Sequence, residues 1–159
     1  MKIKVGFGYD VHQLVEGREL WLGGIKLEHH KGALGHSDAD VLIHAICDAL
    51  LGAANLRDIG FHFSNQSSEF KNIDSKILLQ RVMTMLSEKG YKPGNIDCAL
   101  TLEAPKINPH IPSMQKVLAE VMKIDEDDIS IKATTNEKMG FVGREEGVCA
   151  YAVALIYKD

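Results

Sequence analysis

Two histidines and one aspartate have the residue types and spacing of a metal-binding set. Asp10 and His12 stand two positions apart at the end of an alternating apolar run, and His44 lies in the first strong helical segment. Side chains two positions apart on a strand lie on the same face, so Asp10 and His12 project together. Only His44 has to be brought to them by the tertiary fold. Such a trio can hold a Zn²⁺-like ion and leave its fourth position open, as catalytic sites do. The alternative is three unrelated polar residues at element ends, because short motifs also arise by chance.

A second candidate site is the helix start at His36 and Ser37. A helix N-terminus attracts anions through its free N–H groups, and these two side chains would add donors to a bound phosphate. A capped helix preceded by a solvated histidine explains the same residues. We expect Ser37 to cap the helix, with Asp40 in the position of a capping-box acid. Asp40 and Asp48 flank His44 by one turn each, which makes them candidate acceptors for a metal-bound imidazole.

Three loops carry residues that suit a phosphorylated nucleotide. Asp58 lies in a turn where its carboxylate could accept from hydroxyls, although an ordinary tight turn has the same sequence. The segments Ala104–Lys106 and Ala133–Thr135 follow predicted strands, and their small residues, hydroxyls and backbone N–H groups suit a base and ribose. Glu137 is a candidate Mg²⁺ ligand, and Arg144 offers a planar fork for phosphate. A glycine-rich hairpin loop with solvated charges is the alternative for the last two.

The elements around these residues predict an α+β fold. We expect mostly a single β-sheet with helices packed on one face and a small N-terminal hairpin. The length of 159 residues favours one domain over residues 1–159. The predicted elements, in order, are a strand from Ile3 ending at the Asp10/His12 pair, a hairpin over Glu19–Leu27 turning at Gly23-Gly24, a helix from Ser37, a helix over Asp74–Lys89, a strand over Ile96–Leu102, a helix over Pro112–Met122 and strands over Ile129–Thr134 and Val148–Tyr157.

Composition excludes several classes of function. A net charge of −4 provides no basic field for nucleic acid or for an anionic membrane. No apolar run approaches the roughly 20 residues needed to span a bilayer. The N-terminus lacks a signal peptide, so we expect a cytoplasmic protein, or a plastid protein if a transit peptide has been removed.

The remaining histidines and the cysteines indicate no further site. Without a Cys-x-x-Cys pair, the three cysteines are interpreted as reduced core residues: Cys47, Cys98 and Cys149. The other histidines have no ligand-like spacing and are interpreted as surface residues: His29, His30, His62 and His110.

Several segments stand in a fixed order along the chain. They are Asp10-Val11-His12, His36-Ser37-Asp38-Ala39-Asp40, His44, Asp58-Ile59-Gly60, Ala104-Pro105-Lys106, Pro109-His110-Ile111-Pro112 and Lys132-Ala133-Thr134-Thr135-Asn136-Glu137-Lys138-Met139-Gly140-Phe141. Together they closely resemble the 2-C-methyl-D-erythritol 2,4-cyclodiphosphate synthase family of the non-mevalonate isoprenoid pathway. The resemblance covers essentially the whole chain. Phe63–Ser68 departs from the family pattern, where many members have Phe-Pro-Asp-Thr-Asp.

The resemblance implies a role for each candidate residue. The Zn²⁺ (or another divalent transition metal) ligands would be Asp10, His12 and His44, and Glu137 would bind Mg²⁺ or Mn²⁺. The substrate-binding residues would be His36 and Ser37 for the phosphates, with help from Arg144, and Asp58 and Gly60 for the methylerythritol portion. Ala104, Lys106, Ala133, Thr134 and Thr135 would line the cytidine pocket. Ser64 and Asn65 in the divergent loop and Phe141 would be further substrate-binding residues. The family assembles as a homotrimer with active sites between subunits.

The family reaction is a metal-dependent intramolecular phosphoryl transfer. The 2-phosphate of 4-diphosphocytidyl-2-C-methyl-D-erythritol 2-phosphate attacks the β-phosphorus and expels CMP, and the product is 2-C-methyl-D-erythritol 2,4-cyclodiphosphate. The enzyme would be a phosphorus–oxygen lyase. The nucleophile is already an anion at neutral pH, so positioning and charge neutralisation are needed rather than a strong base.

Two other functions are compatible with parts of the pattern. A metal-dependent nucleotide phosphohydrolase would use a zinc-bound water on similar phosphates, and it would need no 2-phosphate on its substrate. A non-enzymatic protein could bind an apolar isoprenoid-like ligand in an oligomer cavity. In that case, replacing His12 or His44 would leave its function intact.

Overall fold

A mixed β-sheet and a layer of helices make up the chain, which the computed structural model describes over residues 1–159. The strands are β1 (Lys2–Glu16), β2 (Leu20–Leu22), β3 (Ile25–Leu27), β4 (Lys31–Ala33), β5 (Lys92–Thr101), β6 (Ile129–Thr134) and β7 (Gly147–Lys158). The helices are α1 (Val41–Ala53), α2 (Ile59–His62), α3 (Ser75–Glu88), α4 (Ile111–Met122) and α5 (Gly140–Gly143). None of them has the length and apolar character required to cross a membrane.

The sheet has five strands in the order β4-β1-β7-β5-β6, and β2 and β3 form a separate hairpin. β1 runs antiparallel to β7 over most of its length, whereas β5 and β6 are parallel. The helices pack on one sheet face and bury a single apolar core between the layers. The predicted α+β class, the single main sheet and the small hairpin are confirmed.

Helix α1 lies unusually close to β1 because two glycines provide the space. A Cβ atom added at Gly8 would lie 1.9 Å from the carbonyl oxygen of Ala45, and one added at Gly6 would lie 1.9 Å from that of Ala49. Such distances are far inside van der Waals contact, so any side chain here would push the helix away from the strand. The Gly-x-Gly spacing in β1 therefore serves helix–strand packing, and it sets the distance between residues of β1 and α1.

Two predicted boundaries were wrong. β1 does not end at the Asp10/His12 pair but continues to Glu16, because its last residues pair with β4. Helix α1 begins after Asp40 rather than at Ser37, since Ala39 has a left-handed backbone (φ 58°) that interrupts helical geometry. Asp40 is the residue that caps α1, and it does so by accepting from Ile43 N.

The segment for which a glycine-rich hairpin loop was the alternative interpretation contains a short helix, α5. Gly143 permits this compact turn, because a Cβ atom there would lie 2.2 Å from the carbonyl carbon of Lys138. The turn leads directly into β7. The other long predicted helices and strands lie where the sequence placed them, within a few residues at each end.

Candidate metal centre

Three potential ligand atoms converge between β1 and α1. Asp10 Oδ2 lies 2.9 Å from His12 Nε2 and 3.1 Å from His44 Nδ1, and the two nitrogens are 3.2 Å apart. Ligand atoms of a tetrahedral zinc ion, bound at about 2.0–2.2 Å, are separated by about 3.3–3.6 Å. The triangle is thus close to the size of one face of such a site.

Backbone geometry fixes the orientation of the first imidazole. His12 Nδ1 donates to the carbonyl oxygen of Leu34 at 2.9 Å, which places a proton on Nδ1. In the neutral ring, Nε2 then keeps its lone pair and points toward Asp10. Gly35 makes room for this ring, because a Cβ atom there would lie 3.2 Å from His12 Cε1.

A buried relay fixes the second imidazole. His44 Nε2 lies 2.9 Å from Ser75 Oγ and 3.2 Å from Ser37 Oγ, and Ser75 Oγ in turn donates to Asp38 Oδ1 at 2.5 Å. Because Ser75 donates to the carboxylate, its oxygen accepts the proton of His44 Nε2. His44 Nδ1 therefore presents a lone pair toward Asp10 and His12, as hydrogen-bonded imidazole ligands do in metal sites.

The charges of the centre are strongly coupled. Burial alone would raise the pKa of Asp10, but its contacts with the His12 and His44 imidazoles outweigh burial and lower that pKa to about 2. Burial alone would lower the pKa of His12, yet its hydrogen bond to Asp10 and the charge of that carboxylate raise it above the ordinary value. The cluster thus favours a carboxylate next to a positive charge, and a bound cation supplies that charge in place of a proton.

The carboxylates on either side of His44 along α1 do not contact its ring nitrogens, contrary to the expectation from helical spacing. Asp40 is fully buried and accepts from the backbone N–H groups of Gly23 and Gly24, at 3.0 and 2.7 Å. Asp48 accepts from Ile59 N at 2.8 Å. Asp40 therefore holds the β2–β3 turn against α1, and Asp48 holds the start of α2. The acceptors for His44 are hydroxyls from elsewhere in the chain.

Ser75 is the residue whose importance spacing alone did not reveal. It is completely buried at the first position of α3, and both its backbone N–H and its hydroxyl bond to Asp38. Asp74 caps α3, and a serine directly after a capping aspartate is common at the start of a helix. The sequence therefore gives no sign that the Ser75 hydroxyl contacts His44. Leu34 acts through its carbonyl oxygen, for which side-chain identity gives no signal.

We expect Ser75→Ala to lower divalent-metal affinity by about 10- to 100-fold, the usual effect of removing a partner that orients a metal ligand. Without the hydroxyl, His44 keeps only the longer contact to Ser37 and its ring is less well fixed. Competition with a chromophoric chelator measures the change. Ser87→Ala, on the exposed side of the same helix, is the matched control and should leave affinity unchanged. Equal affinities for the two variants would show that Ser75 does not orient the ligand.

The residues predicted to contact phosphate lie beside this centre. His36 Nε2 donates to the carbonyl oxygen of Ser67 at 2.8 Å, which ties the helix-start loop to the segment before α3. Ser37 is buried, and its hydroxyl accepts from Ala39 N at 3.1 Å besides contacting His44. Ser37 is thus linked directly to the metal-ligand cluster.

The residues expected to hold the polyol lie on an exposed segment after α1. Asp58 stands at the N-terminus of α2 and makes no capping bond with its side chain, so the carboxylate is free. At Gly60, a Cβ atom would lie 3.0 Å from Asp58 Oδ2, which explains a small residue there. Ser64 and Asn65 are exposed in the following turn, where Ser64 Oγ accepts from Gln66 N.

The parallel pair β5 and β6 brings the predicted cytidine-binding loops together. Leu102 N donates to the carbonyl oxygen of Thr134, and Glu103 Oε1 accepts from Asn136 N at 2.8 Å and from Lys138 N at 3.3 Å. Glu103 thus fixes one loop to the other, a role that the sequence did not suggest. The predicted residues lie in these two adjacent loops or at the end of β6: Ala104, Lys106, Ala133, Thr134 and Thr135.

The last candidates follow β6. Glu137 is exposed, with a left-handed backbone (φ 51°), and its carboxylate has one weak contact, a 3.4 Å bond from Thr135 Oγ1. Phe141 is 42% exposed on α5. Arg144 forms a bidentate pair with Glu146, at 2.8 and 3.2 Å, so its fork is occupied within the chain.

Within one chain, the metal centre and the nucleotide loops are separate. Asp10 pairs with Ala150, which pairs with Leu100, and Leu100 pairs with Ala133. Neighbouring strands lie about 4.8 Å apart, so β5 is about 10 Å and β6 about 14 Å from β1 in this row. The two groups share one end of the sheet without meeting.

Fold and site together define an α+β protein with a candidate three-ligand metal site at Asp10, His12 and His44. The chain belongs to the YgbB family, whose model matches residues 3–157. A protein of Bacteroides fragilis named 2-C-methyl-D-erythritol 2,4-cyclodiphosphate synthase is 72% identical over 156 residues, which cover 98% of each chain. The family resemblance expected from the motifs is confirmed.

Solved structures give the same result. The fold matches a bifunctional IspDF from Campylobacter jejuni with a TM-score of 0.95 and 38% identity, covering 99% of this chain and 43% of that one. It matches a complex of IspF from Plasmodium falciparum with CDP with a TM-score of 0.86 and 34% identity, covering 99% of this chain and 97% of that one.

Proposed function

We propose that the chain converts 4-diphosphocytidyl-2-C-methyl-D-erythritol 2-phosphate to 2-C-methyl-D-erythritol 2,4-cyclodiphosphate and CMP, as a phosphorus–oxygen lyase. The observation that carries the proposal is the centre at Asp10, His12 and His44. Both imidazoles have their far nitrogen hydrogen-bonded, so the lone pairs converge with the carboxylate on one point. Relatives named 2-C-methyl-D-erythritol 2,4-cyclodiphosphate synthase match this chain over nearly its full length.

The donor sets fit two kinds of divalent ion. Two imidazoles and one carboxylate suit Zn²⁺ or a similar transition metal, and these would be His12, His44 and Asp10. A single exposed carboxylate suits Mg²⁺ or Mn²⁺, which take remaining ligands from phosphates and water, and this would be Glu137. Bound there, the ions supply positive charge that reduces repulsion between the reacting phosphates and stabilises the leaving CMP.

The chain's own residues position the substrate beside that charge. The His36-Ser37 loop and Asp58 lie on elements adjoining α1, whose His44 belongs to the centre. We infer that the first two bind phosphate and that Asp58, with Gly60, accepts from the polyol hydroxyls. Ser64 and Asn65, in the turn after α2, would be further contacts to the substrate. The bound substrate would be folded so that its 2-phosphate lies in line with the β-phosphorus. Free substrate rarely adopts this conformation, so binding lowers the entropic part of the barrier.

The reaction needs no nucleophile from the protein, because the substrate supplies its own. An oxygen of the 2-phosphate forms a bond to the β-phosphorus, and the bond from that phosphorus to the oxygen bridging to CMP breaks. CMP leaves with the electron pair. The attacking oxygen is already anionic at neutral pH, so the contribution of the protein is position and electrostatics.

The two loops after β5 and β6 would hold the cytidine. Glu103 keeps them together through bonds to two backbone N–H groups, and this leaves small side chains and hydroxyls at their surface. The CDP complexes of related proteins support a nucleotide site in this family. The proposed contacts are Ala104, Lys106, Ala133, Thr134 and Thr135, with Phe141 and Arg144 next to them.

We propose a homotrimer with active sites between subunits. The sheet face opposite the helices is apolar and uncovered: Val5 is 64% exposed, Phe7 63% and Val153 42%. Tyr9 and Tyr151 pack together on the same face, with ring centroids 5.1 Å apart and ring planes inclined at 44°. An apolar patch of this kind marks an interface. Assembly would also bring the nucleotide loops of one subunit to the metal centre of the next. One substrate molecule could then contact both, although the two groups lie apart within a single chain.

Other parts of the chain fit this function. The three cysteines are free and buried, which suits the reducing cytoplasm, where we place the protein. With a net charge of −4, neither nucleic acid nor a membrane surface is an expected partner.

A substrate analogue that lacks the 2-phosphate tests the proposal. We expect no release of CMP from this analogue, because the intramolecular nucleophile is absent, while the complete substrate is consumed. Chromatography of nucleotide products measures both rates. Comparable release of CMP from both compounds would instead favour a phosphohydrolase with water as the nucleophile.

A further inference from the structure

A second cluster of metal-ligating side chains lies away from the centre described above. It consists of His29 and His30, in the connection between β3 and β4, and Glu145, directly after α5. Each offers one ligand atom, and these atoms all lie within 4.8 Å of one another. No residue is shared with the first centre, and sequence spacing gave no indication of the cluster because Glu145 is distant along the chain.

Local backbone geometry brings these side chains together. Adjacent residues on a strand point to opposite faces, but His29 and His30 lie in irregular backbone, and their ring centroids are 4.4 Å apart. Glu145 has a left-handed backbone (φ 56°), a conformation found at sharp turns. Lys31 Nζ donates to the carbonyl oxygen of Glu145 at 3.0 Å and holds the two segments in register.

One ring nitrogen of the cluster, His29 Nε2, has no hydrogen-bond partner. His29 Nε2 is shielded from solvent and has no hydrogen-bond partner, the one buried side-chain nitrogen or oxygen in the chain of which this is true. A buried polar atom without a partner carries a cost of about 1–3 kcal/mol. Burial and the neighbouring His30 lower the pKa of His29.

We propose that His29, His30 and Glu145 bind a second divalent transition-metal ion, which joins the β3–β4 connection to the turn before β7. Imidazole and carboxylate ligands suit Zn²⁺, Co²⁺ or Ni²⁺. Ligand atoms around such an ion are about 3.3–3.6 Å apart, so closure requires a shift of roughly 1 Å. The exposed side chain of His30 can make that shift. Glu16, whose Oε1 lies 3.8 Å from His30 Nε2, is a further carboxylate within reach.

Cobalt titration of the tag-free, metal-stripped protein tests the site. Bound Co²⁺ gives visible absorption bands, and equilibrium dialysis with elemental analysis gives the number of ions per chain. We expect two equivalents in the unmodified protein and one in His30→Asn and in Glu145→Gln. Both replaced residues are at or near the surface, so the variants should fold. His110→Asn, which removes a histidine that belongs to neither cluster, is the matched control and should retain two equivalents.

Each outcome decides the proposal. Loss of one equivalent in both variants, with two retained in the control, supports the site and is independent of catalysis. A single equivalent in the unmodified protein overturns it. Retention of the second equivalent by either variant also overturns it, since that ion would then be bound without the residue assigned to hold it.

Discussion

Replacing His44 with alanine is expected to reduce turnover by more than about 100-fold. Residues that merely orient a metal ligand account for about 10- to 100-fold, and loss of one of three ligands should cost more. The remaining pair, Asp10 and His12, would lie 2.9 Å apart and form an ion pair instead of a binding site. Release of CMP from the complete substrate and the zinc content of the purified protein measure the effect.

The control for this prediction is His110→Ala, which should retain full activity and zinc. His44 is 7% exposed, so its removal also takes away the hydrogen bond that Ser75 Oγ accepts, although this hydroxyl still donates to Asp38, and we expect a cost of about 1–3 kcal/mol. A domain of ordinary stability, about 5–15 kcal/mol, tolerates this loss. Circular dichroism and the mass in solution verify that the variant is folded and assembled. A His44→Ala protein that is active without bound zinc would rule out the assigned ligand set.

Gly8→Ala is expected to be among the most damaging single-methyl changes in the chain. The added Cβ atom would lie 1.9 Å from the carbonyl oxygen of Ala45 and 2.7 Å from Ala49 N, both of which are backbone atoms of α1. Helix and strand must separate, at a cost at or above the top of the range of about 1–3 kcal/mol for overpacked cores. For a chain of this size, we expect the melting temperature to fall by roughly 6–12 °C.

The same shift moves His44 away from Asp10, so zinc affinity should fall together with stability. Gly52→Ala is the matched control, because this glycine lies in α1 where a Cβ atom would meet only Phe7 O, at 3.9 Å. Alanine there removes a helix-disfavouring residue, with an effect from neutral to about 1 kcal/mol stabilising. If Gly8→Ala melted at the same temperature as Gly52→Ala, close contact between α1 and β1 would not be what positions the centre.

Local periodicity was sufficient to predict much of the centre. Alternation along β1 placed Asp10 and His12 on one face, and the helical pattern of α1 identified the segment that carries His44. Both inferences depend on regular structure, in which spacing determines direction.

The parts that sequence did not predict depend on tertiary contacts. Ser75 reaches His44 across 31 positions of the chain, and Leu34 contributes a carbonyl oxygen that any residue would supply. Ser37 and Asp40 are both good N-caps, so only the left-handed backbone of Ala39 decides that α1 begins at the later one. His29 and His30 were interpreted as surface residues because they have no ligand-like spacing, and the third member of their cluster, Glu145, is distant along the chain.

The most direct test of the central claim, metal-dependent cyclisation at the Asp10/His12/His44 centre, is ³¹P NMR of the reaction. Purified protein, the complete substrate and Mg²⁺ would be compared with and without a zinc chelator. We predict that paired resonances of a cyclic diphosphate arise together with CMP, vanish on chelation and return when Zn²⁺ is restored. Acyclic phosphates, or cyclisation unaffected by removal of zinc, would contradict the account.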